Sequence, residues 1–204
     1  MKSIRMTGCF FSLLAVISLS ATLEAADQAD IKQPVNQRFS DPASTEVPQF
    51  QQHVVPLLGK LGCNGRACHG SFQGKGDFRL SLFGYDFTMD HQQLTDKDAE
   101  RINLKDAAES LITQKPLNEI EHEGGKRFEK DSWQHRLLLS WVKAGANGVS
   151  KEAPKFERLI VTPDAIQFKK EGETVSLNAI AVWSDGTRED VTPLCRFQTF
   201  FFFF

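Results

Sequence analysis

The sequence predicts a mainly α domain followed by an incomplete all-β sandwich. Three observations predict it. Two stretches, 50–61 and 133–145, repeat apolar residues with a helical period. Beyond residue 155 the period changes to alternation, punctuated by turn chemistry. The chain of 204 residues then closes on Thr199 followed by Phe200 to Phe204, about halfway through such a sandwich.

At the N-terminus, Lys2 and Arg5 precede an apolar run from Phe10 to Leu19, and Leu23-Glu-Ala25 supplies small residues at a cleavage point. That is the pattern of a secretory signal peptide over residues 1–25. The apolar run is short for a bilayer span, so no stable membrane span is expected. Met6-Thr-Gly-Cys9 resembles a lipoprotein box, but it precedes the apolar run instead of following it. The mature chain belongs to the periplasm or the cell surface on this reading. A net charge of −2, with no basic block, argues against a nucleic-acid partner.

Residues 26–46 are polar, with Pro34 and Pro42 and no apolar period, and read as a linker. Phe50, Val54, Leu57, Leu58 and Leu61 then lie on one helical face. Pro56 obliges that helix to start near it or to kink. Residues 70–90 are rich in glycine and aromatics, with a short extended piece over Phe78, Leu80 and Leu82. Charged residues 90–109 carry a short helix around 92–98, and another helical turn over 110–113 precedes Pro116. Asp131-Ser132 is a helix start, and Trp133, Leu137, Leu138 and Trp141 form the stripe that follows, ending at Ala144-Gly145. After a linker at 147–155, strands are expected over 159–161, 166–168 and 174–183, with a turn at 184–187 and a further extended piece from Val191. Five consecutive phenylalanines at 200–204 suit no domain end and read as a truncated or frame-shifted terminus.

The chemistry concentrates in Leu61-Gly-Cys-Asn-Gly-Arg-Ala-Cys-His-Gly70. A cysteine pair ending in Cys-His is the attachment signature of a c-type haem: two thiols add to the vinyl groups and the adjacent imidazole binds the iron. The usual two intervening residues are four here, Asn64 to Ala67, and Gly65 allows the extra pair to loop out. Three alternatives stand beside haem. A Cys63–Cys68 disulfide suits an exported protein; it leaves Cys195 single, as haem attachment would. A structural zinc needs four ligands, and Cys63, Cys68 and His69 supply three. A buried, inert pair is the plainest option. By analogy with small class I cytochromes c, the helix entering Cys63 would cross the last helix, with Gly59 or Gly62 against Trp141.

Phe50…Val55-Pro-Leu-Leu58…Cys63…Cys68-His-Gly70 and Leu138…Trp141-Val-Lys-Ala-Gly-Ala146 resemble the planctomycete cytochrome-c-like domain. Gly124-Gly-Lys-Arg-Phe128 and Asp131-Ser-Trp133 resemble a subgroup with the four-residue cysteine spacing. The resemblance covers residues 47–146. Leu159-Ile-Val-Thr-Pro163, Gly172-Glu-Thr174, Ala179-Ile-Ala-Val-Trp-Ser-Asp-Gly-Thr187 and Asp190-Val-Thr192 resemble the bacterial immunoglobulin-like domain of group 2, over 156–199. The fold implied is a mainly α cytochrome-c-like domain followed by an incomplete all-β immunoglobulin-like sandwich.

The resemblance implies covalent haem c on Cys63 and Cys68, with His69 as one iron ligand. In the family the second ligand comes from the loop before the last helix, which here holds Glu121-His122-Glu123, so His122 is the expected partner. Met89 is the next candidate and an open site the third; His91, His53 and His135 complete the set of donors. The expected activity is single-electron transfer with a redox partner protein, joined to a spacer or adhesion domain, and not catalysis. A peroxidase-like enzyme would need a distal Arg/His pair, and none stands out. The competing expectation is a non-redox surface or adhesion protein with a structural Cys63–Cys68 disulfide.

Overall fold

In a computed structural model the described residues are 31–198. The expected signal peptide at 1–25 and the phenylalanine tail at 200–204 lie outside them. From Lys32 onward the chain forms one compact unit.

Helix α1 (Val35–Arg38) opens this unit, inside the segment expected to be a linker. It contributes Val35, and Phe39 after it, to the core as fully buried side chains. A widened helical turn over Phe50–Val54 leads into α2 (Val55–Leu61). The two are continuous, and the widening accommodates Pro56: its missing N–H falls in the first turn of α2, where no ladder bond is lost. Gly62, at φ 81°, ends α2, and Cys63 N–H returns to Leu58 C=O at 2.9 Å. This left-handed stop is why the helix delivers Cys63 directly into a turn.

Helix α3 (Phe87–Thr95) is capped by Asp86, whose side chain accepts from Met89 N–H. Helix α4 (Leu111–Leu117) continues through Pro116, which sits in its last turn. Helix α5 (Trp133–Lys143) is capped by Ser132, as its sequence predicts. Leu137, Leu138 and Trp141 on its stripe are fully buried. Trp141 stacks on Phe50 with centroids 5.5 Å apart. Gly59 and Gly62 are therefore not its partners: Gly59 faces the Asn64 side chain, and Gly62 faces nothing within 4 Å.

The strands are β1 (Ile31–Lys32), β2 (Phe156–Thr162), β3 (Asn178–Trp183) and β4 (Arg188–Asp190), in one sheet ordered β1–β4–β3–β2. β2 and β3 pair antiparallel with Ile160 opposite Ile180, and β3 pairs antiparallel with β4.

The expected fold class is corrected here. The described residues are mixed α/β, with 33% helix, 12% strand and one four-stranded sheet among them, and not a helical domain followed by an all-β sandwich. Residues 166–168 form no strand, and the expected long strand from Thr174 begins only at Asn178. A sandwich needs a second sheet to face the first. Here the short helical turn Thr192–Leu194 packs instead on α1 and α2, and Leu194 joins the helical core.

Candidate haem-binding site

The segment after α2 is a chain of tight turns. Gly65 N–H bonds to Gly62 C=O at 3.1 Å, Cys68 N–H to Gly65 C=O at 3.0 Å, and His69 N–H to Cys63 C=O at 3.0 Å. The last bond closes a loop across both cysteines, so the four intervening residues are looped out while Cys63 and His69 stay in register. Gly70 makes this closure fit: a Cβ there would stand 2.0 Å from the Asn64 carbonyl oxygen. Asn64 is buried with no side-chain hydrogen bond among the described residues. It lies between Gly59 and Gly84, each of which would press a Cβ toward it.

Cys63 and Cys68 are both free thiols. Burial pushes the Cys63 thiol up to about 11, against the opposing pull of the Arg127 charge. The Arg127 guanidinium lies 3.9 Å from Cys68 Sγ.

His69 reaches two backbone carbonyls with Nδ1, Lys75 at 3.1 Å and Phe78 at 3.2 Å. An imidazole whose Nδ1–H is donated to carbonyls presents Nε2 with its lone pair, the state a metal ligand requires. Burial lowers the pKa of His69, in opposition to those carbonyls, and so favours the neutral ring. His122 repeats the arrangement. Its Nδ1 lies 3.3 Å from Gly125 C=O, and Gly125 N–H returns to His122 C=O at 2.7 Å. The ring folds back over its own turn, so a Cβ at Gly124 would stand 2.6 Å from it. Among the described residues neither Nε2 has a hydrogen-bond partner.

The two rings are 6.4 Å apart between centroids and within 8° of parallel. Both rings line one cavity of about 790 Å³ together with Cys63 and Cys68. Its apolar walls include Leu58, Phe78, Leu80, Leu94 and Ile112. The volume lies within the range of roughly 300–1,000 Å³ usual for cofactor pockets. Two cysteines and one histidine on a single loop, a second imidazole from another loop, and apolar walls between them fit a haem. Among the described residues no group of three or more His, Cys, Asp and Glu side chains could hold a metal ion. An axial imidazole pair needs none, since a porphyrin brings its own four nitrogens.

The other candidate ligands are elsewhere. Met89 is on the first turn of α3 and does not line the cavity. His53 Nε2 is 2.9 Å from Glu189, and Gln49 N–H donates to its Nδ1. His91 Nε2 bonds to Ala146 C=O at 2.8 Å, with its ring edge-on to Phe50 and Trp141. His135 Nδ1 accepts from Asp131 N–H at the start of α5. Cationic side chains also reach the cavity, with Lys75, Arg101, Lys115 and Arg127 in its lining. Sequence reasoning missed them because their spacing carries no motif; only the fold gathers them.

Neither a comparison with protein-family models nor searches of curated proteins and of solved structures returned a match. No helix among the described residues is long and apolar enough to cross a membrane.

Proposed function

We propose that the chain is an exported c-type cytochrome module that passes single electrons to and from a redox partner protein. Cys63 and Cys68 would hold haem c covalently, and His69 and His122 would be the ligands to its iron. The observation that carries this reading is the pair of near-parallel imidazoles 6.4 Å apart, each with Nδ1 on a backbone carbonyl. The resemblance of residues 47–146 to the planctomycete cytochrome-c-like domain points the same way, and the signal peptide would deliver the chain to the periplasm or cell surface.

When bound, the haem supplies reversible one-electron chemistry at iron. The chain's own residues set the conditions for it. The Lys75, Phe78 and Gly125 carbonyls fix both imidazole tautomers. Leu58, Leu80, Leu94 and Ile112 give the cavity an apolar wall on which a flat ring would pack. With both His69 and His122 engaged, the group would supply electron transfer and not catalysis on a bound oxidant.

The test is the visible spectrum of the full chain made in a host with haem-maturation machinery. A Soret band that survives acid–acetone extraction is expected. Loss of all haem on extraction would overturn covalent attachment, and a spectrum unchanged in His122→Ala would overturn the ligand assignment.

A further inference from the structure

The hydrogen bonds that orient His69 come from a turn that is itself held from outside. Lys75 and Phe78 close a two-residue hairpin, with Lys75 N–H to Phe78 C=O at 3.0 Å and Phe78 N–H to Lys75 C=O at 3.2 Å. Gly76 and Asp77 at its tip have φ of 58° and 53°. Both belong to the left-handed region that such a turn demands, and Asp77 is there without the freedom of glycine. The two carbonyls of this hairpin are the ones that face His69 Nδ1. Lys75, Gly76 and Asp77 are all exposed, so the hairpin tip gains little from burial.

Arg101 grips this turn. One guanidinium nitrogen donates to Asp77 C=O at 2.8 Å, and another to Gln93 C=O of α3 at 3.0 Å. The same guanidinium lies 4.5 Å from the centroid of the Phe78 ring, and that ring is 4.6 Å from His69. The backbone of Arg101 is fixed in turn by Ile112 N–H, which donates to its carbonyl at 3.2 Å. A planar fork that binds two carbonyls and covers an aromatic ring is geometry that lysine cannot reproduce.

We propose that Arg101 is the positioning residue for His69: it ties the 75–78 hairpin to α3, so that the carbonyls of Lys75 and Phe78 hold the imidazole in one tautomer and one orientation. The assignment of His69 as an iron ligand rests on the proposed function above; the hold on its tautomer does not. The consequence for a bound haem is that Arg101 sets the basicity and orientation of one axial ligand from a distance, without touching the iron.

The experiment compares the full chain with Arg101→Ala, Arg101→Lys and Arg79→Ala. Arg79 is a neighbouring cation that lies over Phe72 and takes no part in gripping the turn. In the haem-free chain, nitrogen chemical shifts of His69 report its tautomer. Wild type and Arg79→Ala are expected to show the Nδ1–H form alone. Arg101→Ala is expected to bring in a clearly measurable Nε2–H population, with Arg101→Lys between them. In the haem-loaded chain the midpoint potential and the low-spin ligand-field spectrum are expected to move in the same order. A native-like chain with Arg101→Ala or Arg101→Lys that keeps the wild-type tautomer overturns the proposal. So does an equal shift in Arg79→Ala, since that would make the effect one of net charge. A wild-type chain that takes up no haem overturns the cofactor assignment instead, while the tautomer comparison still decides the role of Arg101.

Discussion

His53 and Glu189 lie 136 residues apart in sequence, yet the imidazole Nε2 stands 2.9 Å from the carboxylate. Gln49 N–H donates to Nδ1, so the proton is on Nε2 and points at Glu189. Arg38, the last residue of α1, pairs with the same carboxylate and with Glu46. All three of Arg38, His53 and Glu189 are largely withdrawn from water, and the cluster pins β4 to α1 and to the turn before α2.

Glu189→Gln is expected to destabilise the chain by about 1–3 kcal/mol, because the buried Arg38 guanidinium keeps Glu46 but loses one of its two carboxylates. Denaturant unfolding followed by circular dichroism measures it. A loss below about 1 kcal/mol would place the cluster among surface ion pairs in effect.

Acid should weaken the fold in two stages. Burial lowers the pKa of His135 from its ordinary 6.5, although Asp131 opposes it. A histidine held neutral in the folded chain contributes stability that is present above pH 6.5 and is lost as pH falls toward its folded value. Burial alone would raise Glu189, but the His53 hydrogen bond together with the Arg38 and Lys32 charges outweighs it and holds the group below its ordinary 4.5. Its contribution is present above pH 4.5 and is lost as pH falls through the folded value. Unfolding free energy measured against pH should therefore decline first below 6.5 and again below 4.5. His69, also lowered by burial, adds to the first decline, so His135→Gln should shrink that decline without abolishing it and leave the second unchanged.

Trp141→Phe should cost about 1–3 kcal/mol in the same unfolding assay. The indole is fully buried on Phe50, and its Nε1–H donates to Asn147 C=O at 2.9 Å. Phenylalanine keeps much of the apolar contact, loses that hydrogen bond and leaves part of the site empty. Trp141→Ala should cost more, about 3–5 kcal/mol.

The local signals were readable where one element satisfies itself. Ser132 caps α5 and the stripe behind it is buried, as the spacing of Trp133, Leu137, Leu138 and Trp141 implies. The delivery of Cys63 by a helix was legible too, through the apolar face before it, whereas Gly62 proved to be the left-handed stop of α2 and not a contact for Trp141. The single sheet was not. Alternation at 166–168 resembles a strand, but strand pairing depends on a distant partner, and β3 found β2 and β4 instead. The roles of His53 and His91 were hidden for the same reason: Glu189 and the Ala146 carbonyl are remote in sequence. Val35 and Phe39 were passed over because two apolar residues in a polar stretch make no period, although each fills the core.

Cys63 should resist alkylation in the haem-free chain. With its thiol pushed up to about 11 by burial, it is almost wholly protonated at pH 8, and only the thiolate attacks. Iodoacetamide labelling read by peptide mass should proceed faster at Cys68 than at Cys63, and the lag at Cys63 should shorten only as pH nears 11. Equal labelling of both at pH 8 would contradict a Cys63 thiol held protonated by its surroundings.

The most direct measurement is the intact mass of the mature chain after denaturing extraction, produced where haem-maturation machinery is present. Covalent attachment through Cys63 and Cys68 predicts the chain mass plus one haem, and a Cys63→Ser, Cys68→Ser double variant that carries none. A wild-type mass equal to the bare chain, or lighter than it by one pair of hydrogen atoms as a Cys63–Cys68 disulfide requires, would contradict the account.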